Sequence, residues 1–256
     1  MSIPEIKVLP DAAGIAREAA ERIVVSARHA IDARGEFSIG LSGGSTPKAL
    51  YELLAGPYYR PQIDWPRVLI FFGDERCVPP NHPESNYRMA NEALLSRVPV
   101  PGDNIYRIRG EIDAQDAAKE YELVLQEKFG PNGGLDVNLL GMGQDGHTAS
   151  LFPGTDAVNE REHLVAANYA EHSTTGRSWR VTMTLPFLNR AHHTLILVAG
   201  PDKAARVAEV LEGPRDPQRL PIQLIDPPNG QVSWLLDVAA AAMDVKETED
   251  DRDVKG

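Results

Sequence analysis

An α/β fold with an open, mostly parallel, Rossmann-like sheet and helices on both faces is the architecture this 256-residue sequence predicts. Short apolar runs of strand length recur along the chain, and helix-period segments stand between them. Several of the runs end abruptly in glycine or charge, as strands do where they leave a sheet toward a ligand crevice. The length suits one domain, expected over residues 1–243, with a polar tail over 244–256 that resembles a solvated end.

Ile3 to Leu9 reads as the first strand. Asp11 to Ala33 follows as an alanine-rich helix with Ile15, Ala19, Ile23 and either Ala27 or Ala30 along one face. Phe37 to Leu41 is a strand that ends at Ser42-Gly43-Gly44-Ser45-Thr46-Pro47. The spacing predicts Thr46 as the cap of the next helix, Pro47 as its first residue, and Leu50, Leu53 and Leu54 on its apolar side. Val68 to Phe72 is a strand ending at Gly73-Asp74-Glu75-Arg76, after which Ser85 caps a helix containing Met89, Ala93 and Leu94. A strand is expected over Ile105 to Ile108, and a helix capped by Asp113 runs to about Phe129. Leu135 to Leu140 is a core strand that enters Gly141-Met142-Gly143-Gln144-Asp145-Gly146-His147. Shorter strands are expected at Leu164 to Ala167 and Val181 to Thr184. Thr194 to Ala199 is a buried-type strand, with Asp202 capping a helix to Leu211. A last strand over Ile222 to Ile225 and a last helix over Val232 to Met243 complete the reading.

Acidic side chains number 37 against 26 basic ones, a formal charge of −11. Such a surface repels nucleic acid and anionic membranes, so neither is an expected partner. No apolar stretch approaches the roughly 20 residues that cross a bilayer, and Met1 to Glu5 lacks the features of a signal peptide. The single cysteine, Cys77, forms no internal disulfide, and the cytoplasm is the default expectation. A monomer is the starting assumption, with self-association left open.

An acidic protein holds a small anion only where cations and backbone N–H groups converge. Three strand ends qualify, at 42–47, 73–76 and 141–147. The first combines Gly43 and Gly44 with the hydroxyls of Ser45 and Thr46 before a helix, the chemistry of a phosphate cradle. It lacks the glycine-lysine pair of a Walker loop. Gly40-Leu41-Ser42-Gly43-Gly44 also matches the G-x-S-x-G nucleophile elbow by letter, but Pro47 places the helix start too late for Ser42 to occupy one. Gly141 to Gly146 matches the dinucleotide fingerprint by letter as well. Pro153-Gly154 ends any helix there too soon, and no acidic residue closes the next strand. Asp145 and His147 remain on a tight glycine loop, a carboxylate beside a base suited to neutral pH. Arg76, Arg180 and Lys203 stand near strand ends and are the candidate cations. No histidine, cysteine and carboxylate cluster has metal-ligand spacing, so neither metal nor cofactor is expected.

This combination resembles the 6-phosphogluconolactonases. The likeness rests on Ser42 to Pro47, on Gly73 to Pro79 with Ser85-Asn86-Tyr87, and on Gly141 to Pro153. Arg180 to Thr184 and Gly200-Pro201-Asp202-Lys203 extend it. The family often carries prolines before this arginine, where this chain has Ser178-Trp179. The resemblance implies hydrolysis of 6-phospho-D-glucono-1,5-lactone, a small phosphorylated sugar lactone, to 6-phosphogluconate in the oxidative pentose phosphate pathway. It implies His147 as catalytic base, with Asp145 and Asp74 in the active site. Gly43, Gly44, Ser45, Thr46, Arg76, Arg180 and Lys203 follow as substrate or phosphate contacts. Glucosamine-6-phosphate deaminases share the phosphate loop and Asp145-Gly146-His147, but have a catalytic glutamate where this chain has Thr148-Ala149-Ser150-Leu151-Phe152. A sugar-phosphate sensor on this fold needs a DNA-binding module, for which the N-terminus leaves no room before its first strand.

Overall fold

The computed structural model describes residues 4–170 and 178–241. Nine strands and six helices are named here, in chain order. They are β1 (Glu5–Leu9), α1 (Ala12–Arg34), β2 (Phe37–Leu41), α2 (Ser45–Leu54), β3 (Val68–Phe72), β4 (Asp74–Arg76) and α3 (Asn86–Ala93). Then come α4 (Ala114–Phe129), β5 (Val137–Gly141), β6 (Val165–Ala170), β7 (Ser178–Met183), α5 (Leu185–Leu188), β8 (His193–Val198), α6 (Ala204–Glu212) and β9 (Gln231–Asp237).

Six strands form one sheet in the order β1-β9-β8-β5-β2-β3, and every neighbouring pair is parallel. β2 and β5 lie side by side, yet the chain leaves β2 toward β3 on one side and later adds β5 on the other. That reversal makes a crevice beyond their carboxyl ends, where open α/β sheets bind ligands. Apart from the edge strand β1, the strands are largely buried on both faces, and β2 has no exposed residue. This is why their sequences read as mostly apolar runs with no regular alternation.

A second sheet was not foreseen. β4, β7 and β6 pair antiparallel in that order, and the strands expected at 164–167 and 181–184 belong here instead of to the main sheet. Gly73 is the transfer point. Its N–H donates to Leu41 O of β2 at 2.9 Å, and its carbonyl accepts from Met183 N of β7 at 2.8 Å. The polar run Asp74-Glu75-Arg76 is therefore a strand with one face toward the crevice.

Several boundaries follow their caps. Asp11 Oδ1 accepts from Gly14 N at 2.6 Å, and Gly35 closes α1 in the left-handed region at φ 86°. Ser85 and Asp113 cap α3 and α4 as the sequence predicts. Thr46 does not cap α2. Gly44, at φ 109°, turns the chain one step earlier, so the helix starts at Ser45 and makes no side-chain cap bond. Pro47 is then the third helical residue, where its missing N–H has no intrahelical acceptor to lose. Asp202 does not cap α6 either. A single 3₁₀ turn, Pro201–Lys203, precedes that helix, and the Asp202 carboxylate accepts from Gln144 Nε2 at 2.7 Å.

Three expected elements are corrected. The segment 105–108 makes only one parallel bridge, Ile105 to Ile70. The segment Pro221–Leu224 is a 3₁₀ turn, opened by a proline that cannot donate to a ladder. The expected last helix is β9, a buried strand that lies between β1 and β8. Short apolar runs do not distinguish helix from buried strand by period alone, and the alanines after Val238 extended the run misleadingly. Ile3, Met243 and the tail 244–256 lie outside the described residues.

Candidate active site

The loops after β2, β4 and β5 and the turn before α6 meet in one cleft of about 240 Å³. Gly43 and Gly44 form one wall, Asp74 and Arg76 another, and His147 and Lys203 face it from the remaining sides. Asn86, Met142, Gly143 and Ala149 fill the gaps between them. The cleft lies at the β2/β5 reversal of the sheet.

The glycine loop is held from within. Tyr51 of α2 is fully buried, and its hydroxyl accepts from Ser42 N at 2.9 Å and donates to Ser42 O at 2.8 Å. Ser42 Oγ donates to the Gly43 carbonyl at 3.1 Å, so the serine is turned onto its own backbone. Gly43 has no space for a side chain: a Cβ there would lie 2.1 Å from Asn86 Oδ1. Gly44 is the cap of α2, which brings the positive end of that helix to the cleft wall. Ser45 is exposed and Thr46 half-buried on its first turn, beyond the residues that line the cleft.

His147 stands on a loop with no helix after it. The chain runs instead into a bridge between Thr148 and Leu151, which is why the dinucleotide reading fails. Asp145 Oδ1 lies 2.5 Å from His147 Nδ1 and accepts from the His147 backbone N–H at 3.1 Å. Burial works to raise the Asp145 pKa, but the hydrogen bond and charge of His147 outweigh it and hold the carboxyl below its ordinary value. The Phe152 ring lies against the imidazole, with centroids 4.4 Å apart. Gly143 passes so close beneath that a Cβ would lie 2.1 Å from Nδ1. Carboxylate, phenyl ring and backbone together fix the imidazole's orientation.

Asp74 is buried, with Oδ2 accepting from Ser150 Oγ at 2.6 Å and Oδ1 from Asn86 Nδ2 at 3.2 Å. Its neighbour Glu75 points the other way along the strand. There the Glu75 carboxylate accepts from the N–H groups of Arg76, Asn86 and Tyr87 and from Ser85 Oγ, at 2.7–3.0 Å. Burial pushes the Glu75 carboxyl up, against the pull of these four donors. Glu75 thereby anchors the start of α3 and, with it, Asn86.

Arg76 and Arg180 are register partners across β4 and β7. Arg76 donates to Glu84 O at 2.5 Å, and Arg180 donates to Ser178 Oγ and to Trp179 O. Burial, then the charge of Arg76, pulls the Arg180 pKa down. Two adjacent cations, one of them 3% exposed, favour an anion beside them. Of the residues singled out from sequence, Gly43, Gly44, Asp74, Arg76, His147 and Lys203 line the cleft. Asp145 stands behind His147, and Arg180 behind Arg76. Among the described residues, no group of three or more His, Cys, Asp or Glu side chains is placed to hold a metal ion.

Residues 10–234 match the family model described as glucosamine-6-phosphate isomerases/6-phosphogluconolactonase. A 6-phosphogluconolactonase of Nostoc sp. is 40% identical over 243 residues, covering 93% of this chain and 97% of the relative. The chain belongs to the 6-phosphogluconolactonase family. A 6-phosphogluconolactonase of Haemophilus influenzae is 38% identical over 80% of this chain and 86% of its own length. The solved structure of 6-phosphogluconolactonase from Trypanosoma cruzi superposes with a TM-score of 0.83 at 31% identity, covering 94% of this chain and 97% of that one. A monomeric glucosamine-6-phosphate deaminase shares the fold at TM-score 0.79 and 20% identity. Sequence reasoning passed over Asn86, which lines the cleft, and Ser150 and Thr182, which stand behind it. Asn86 and Ser150 stood inside segments that carried the resemblance, but only the fold shows their side chains converging on Asp74 and its sheet.

Proposed function

We propose that the chain hydrolyses 6-phospho-D-glucono-1,5-lactone to 6-phosphogluconate, with His147 as general base on water. The observation that carries this is the Asp145–His147 pair in a cleft that also holds a helix-capping glycine loop, Arg76 and Lys203. The names of the relatives give the substrate class. Asp145 is ionised and only accepts, so Nδ1 carries the proton and the Nε2 lone pair is left for water. Water attacks C1 of the lactone as Nε2 takes its proton. The imidazolium then returns that proton to the departing ring oxygen as the C1–O bond breaks. Asp74 keeps a free lone pair on each oxygen and accepts from sugar hydroxyls. The phosphate rests against Arg76, Arg180 and the start of α2, with Lys203 closing the cleft. A lactone is an activated ester, so positioned water and one base suffice. General-base help is worth about 10²–10⁴-fold, or roughly 3–5 kcal/mol of barrier.

The test is acid release from the lactone by the purified protein, corrected for spontaneous hydrolysis. Turnover that saturates with lactone and is inhibited by 6-phosphogluconate supports the reading. Release of ammonia from glucosamine 6-phosphate, with no lactone turnover, overturns it.

A further inference from the structure

Ser150 stands three residues beyond His147 and is 1% exposed. Its hydroxyl donates to Asp74 Oδ2 at 2.6 Å, and its N–H donates to Thr182 Oγ1 at 3.2 Å. Its carbonyl accepts from Asn168 Nδ2 at 2.8 Å. Asp74 belongs to β4, Thr182 to β7 and Asn168 to β6. One residue is thus hydrogen-bonded to all three strands of the small sheet, through all three of its polar groups.

The residue before it is strained. Ala149 has φ 47°, the one non-glycine residue with positive φ among the described residues. An L-residue there is strained and persists where its surroundings over-determine it. Both neighbours are fixed. Thr148 Oγ1 donates to Gly141 O at 2.8 Å, tying the turn to the end of β5, and Leu151 N donates to Thr148 O at 2.9 Å. On the other side Ser150 ties it to the small sheet. His147 therefore hangs from the large sheet, Asp74 and the arginines lie on the small one, and the turn 148–151 sets the distance between them.

We propose that Ser150 is a positioning residue for lactone hydrolysis. It fixes the Asp74 carboxylate and the His147 turn in one frame, and the strained Ala149 results from that double attachment. Ser150 acts through Asp74 and His147 and does not line the cleft itself. The inference rests on the proposed function for its kinetic consequence, and on the hydrogen bonds alone for its structural one.

The experiment compares steady-state lactone hydrolysis by the parent, Ser150→Ala and Ser150→Cys, with circular dichroism to confirm folding and a crystal structure of Ser150→Ala. Loss of a hydrogen bond to a charged group predicts a fall in kcat of roughly 10-fold or more. KM rises less than kcat falls, because Arg76, Lys203 and the glycine loop still hold the phosphate. In the Ala variant the Asp74 carboxylate turns away from its present place. Ser150→Cys, with a weaker donor, falls between the two and replaces the Ala variant should that fail to fold. A parent-like kcat overturns the proposal, as does a loss confined to KM, or an Asp74 that stays in place without the hydroxyl. A parent protein with no lactone turnover sinks the functional reading, and the place of Asp74 in the variant structure then decides the positioning claim on its own.

Discussion

Asp145 and His147, two residues apart on one glycine loop, are joined twice through a single carboxylate oxygen. Asp145 Oδ1 lies 2.5 Å from Nδ1 of the ring and 3.1 Å from the backbone N–H of the same histidine. The carboxylate fixes both the loop that carries the histidine and the tautomer of its ring. No distant element is needed for this, since Gly143 and Gly146 let the chain fold back tightly enough, Gly146 at φ 85°.

The first prediction concerns Asp145 and the variant Asp145→Asn. The Asp145 carboxyl lies below its ordinary value of 3.8, so its ion pair supports the fold above that pH and is lost as pH falls through the lower folded value. In Asp145→Asn kcat/KM should fall by about 10-fold or more, because the amide no longer selects one imidazole tautomer. Parent-like turnover by the folded Asn variant counts against the pair as the catalytic unit.

Much of this site was legible before any coordinates. The glycine loops and His147 could be placed because strand ends in a parallel sheet gather at one crevice, and local sequence marks those ends. Arg180 was harder, since it reaches Arg76 only through an antiparallel sheet that nothing local announces. Asp74-Glu75-Arg76 read as a loop because three polar residues carry no alternation signal. Glu75 and Ser150 were invisible as functional groups because the side chains they meet, Ser85 and Asp74, are 10 and 76 residues away. β9 was misread because a strand buried on both faces has no period.

The second prediction concerns the cations. Lys203→Met removes a cleft-lining charge and Arg180→Met removes the buried one. Each should raise KM by roughly 10-fold while kcat changes less. Added salt weakens the parent by screening, and the variants should show a shallower dependence, having one charge fewer to screen. Inorganic phosphate should raise the melting temperature of the parent, and do so less in Arg180→Met. Equal phosphate protection in both proteins removes Arg180 from the anion site.

The third prediction tests the fit of Gly43. Alanine there forces Asn86 Oδ1 away from 2.1 Å, yet Asn86 is 3% exposed and also donates to Asp74. Overpacking of this kind costs about 1–3 kcal/mol of stability. Adding Asn86→Ala to Gly43→Ala should restore most of that loss in a denaturant titration but not the activity, since Asp74 loses a partner. Full recovery of both by the double variant argues that Asn86 matters only for packing.

The last prediction separates base catalysis from nucleophilic catalysis. Ser42 Oγ donates to the Gly43 carbonyl, and both backbone groups of Ser42 are occupied by Tyr51. A nucleophilic serine instead needs its hydroxyl on a base. Ser42→Ala should therefore retain turnover within a few-fold, and no acyl-enzyme should accumulate in a burst experiment. His147→Ala should fold, because the imidazole packs on Phe152 and the loop rather than within the core. Its kcat should fall by about 10²–10⁴-fold. Binding of 6-phosphogluconate should weaken far less, since the phosphate contacts are intact. Added imidazole should restore part of the rate if the vacated space admits it, as a diffusible base replaces the tethered one. A folded His147→Ala protein turning over at the parent rate, beside an inactive Ser42→Ala protein, reverses the assignment and makes Ser42 the nucleophile.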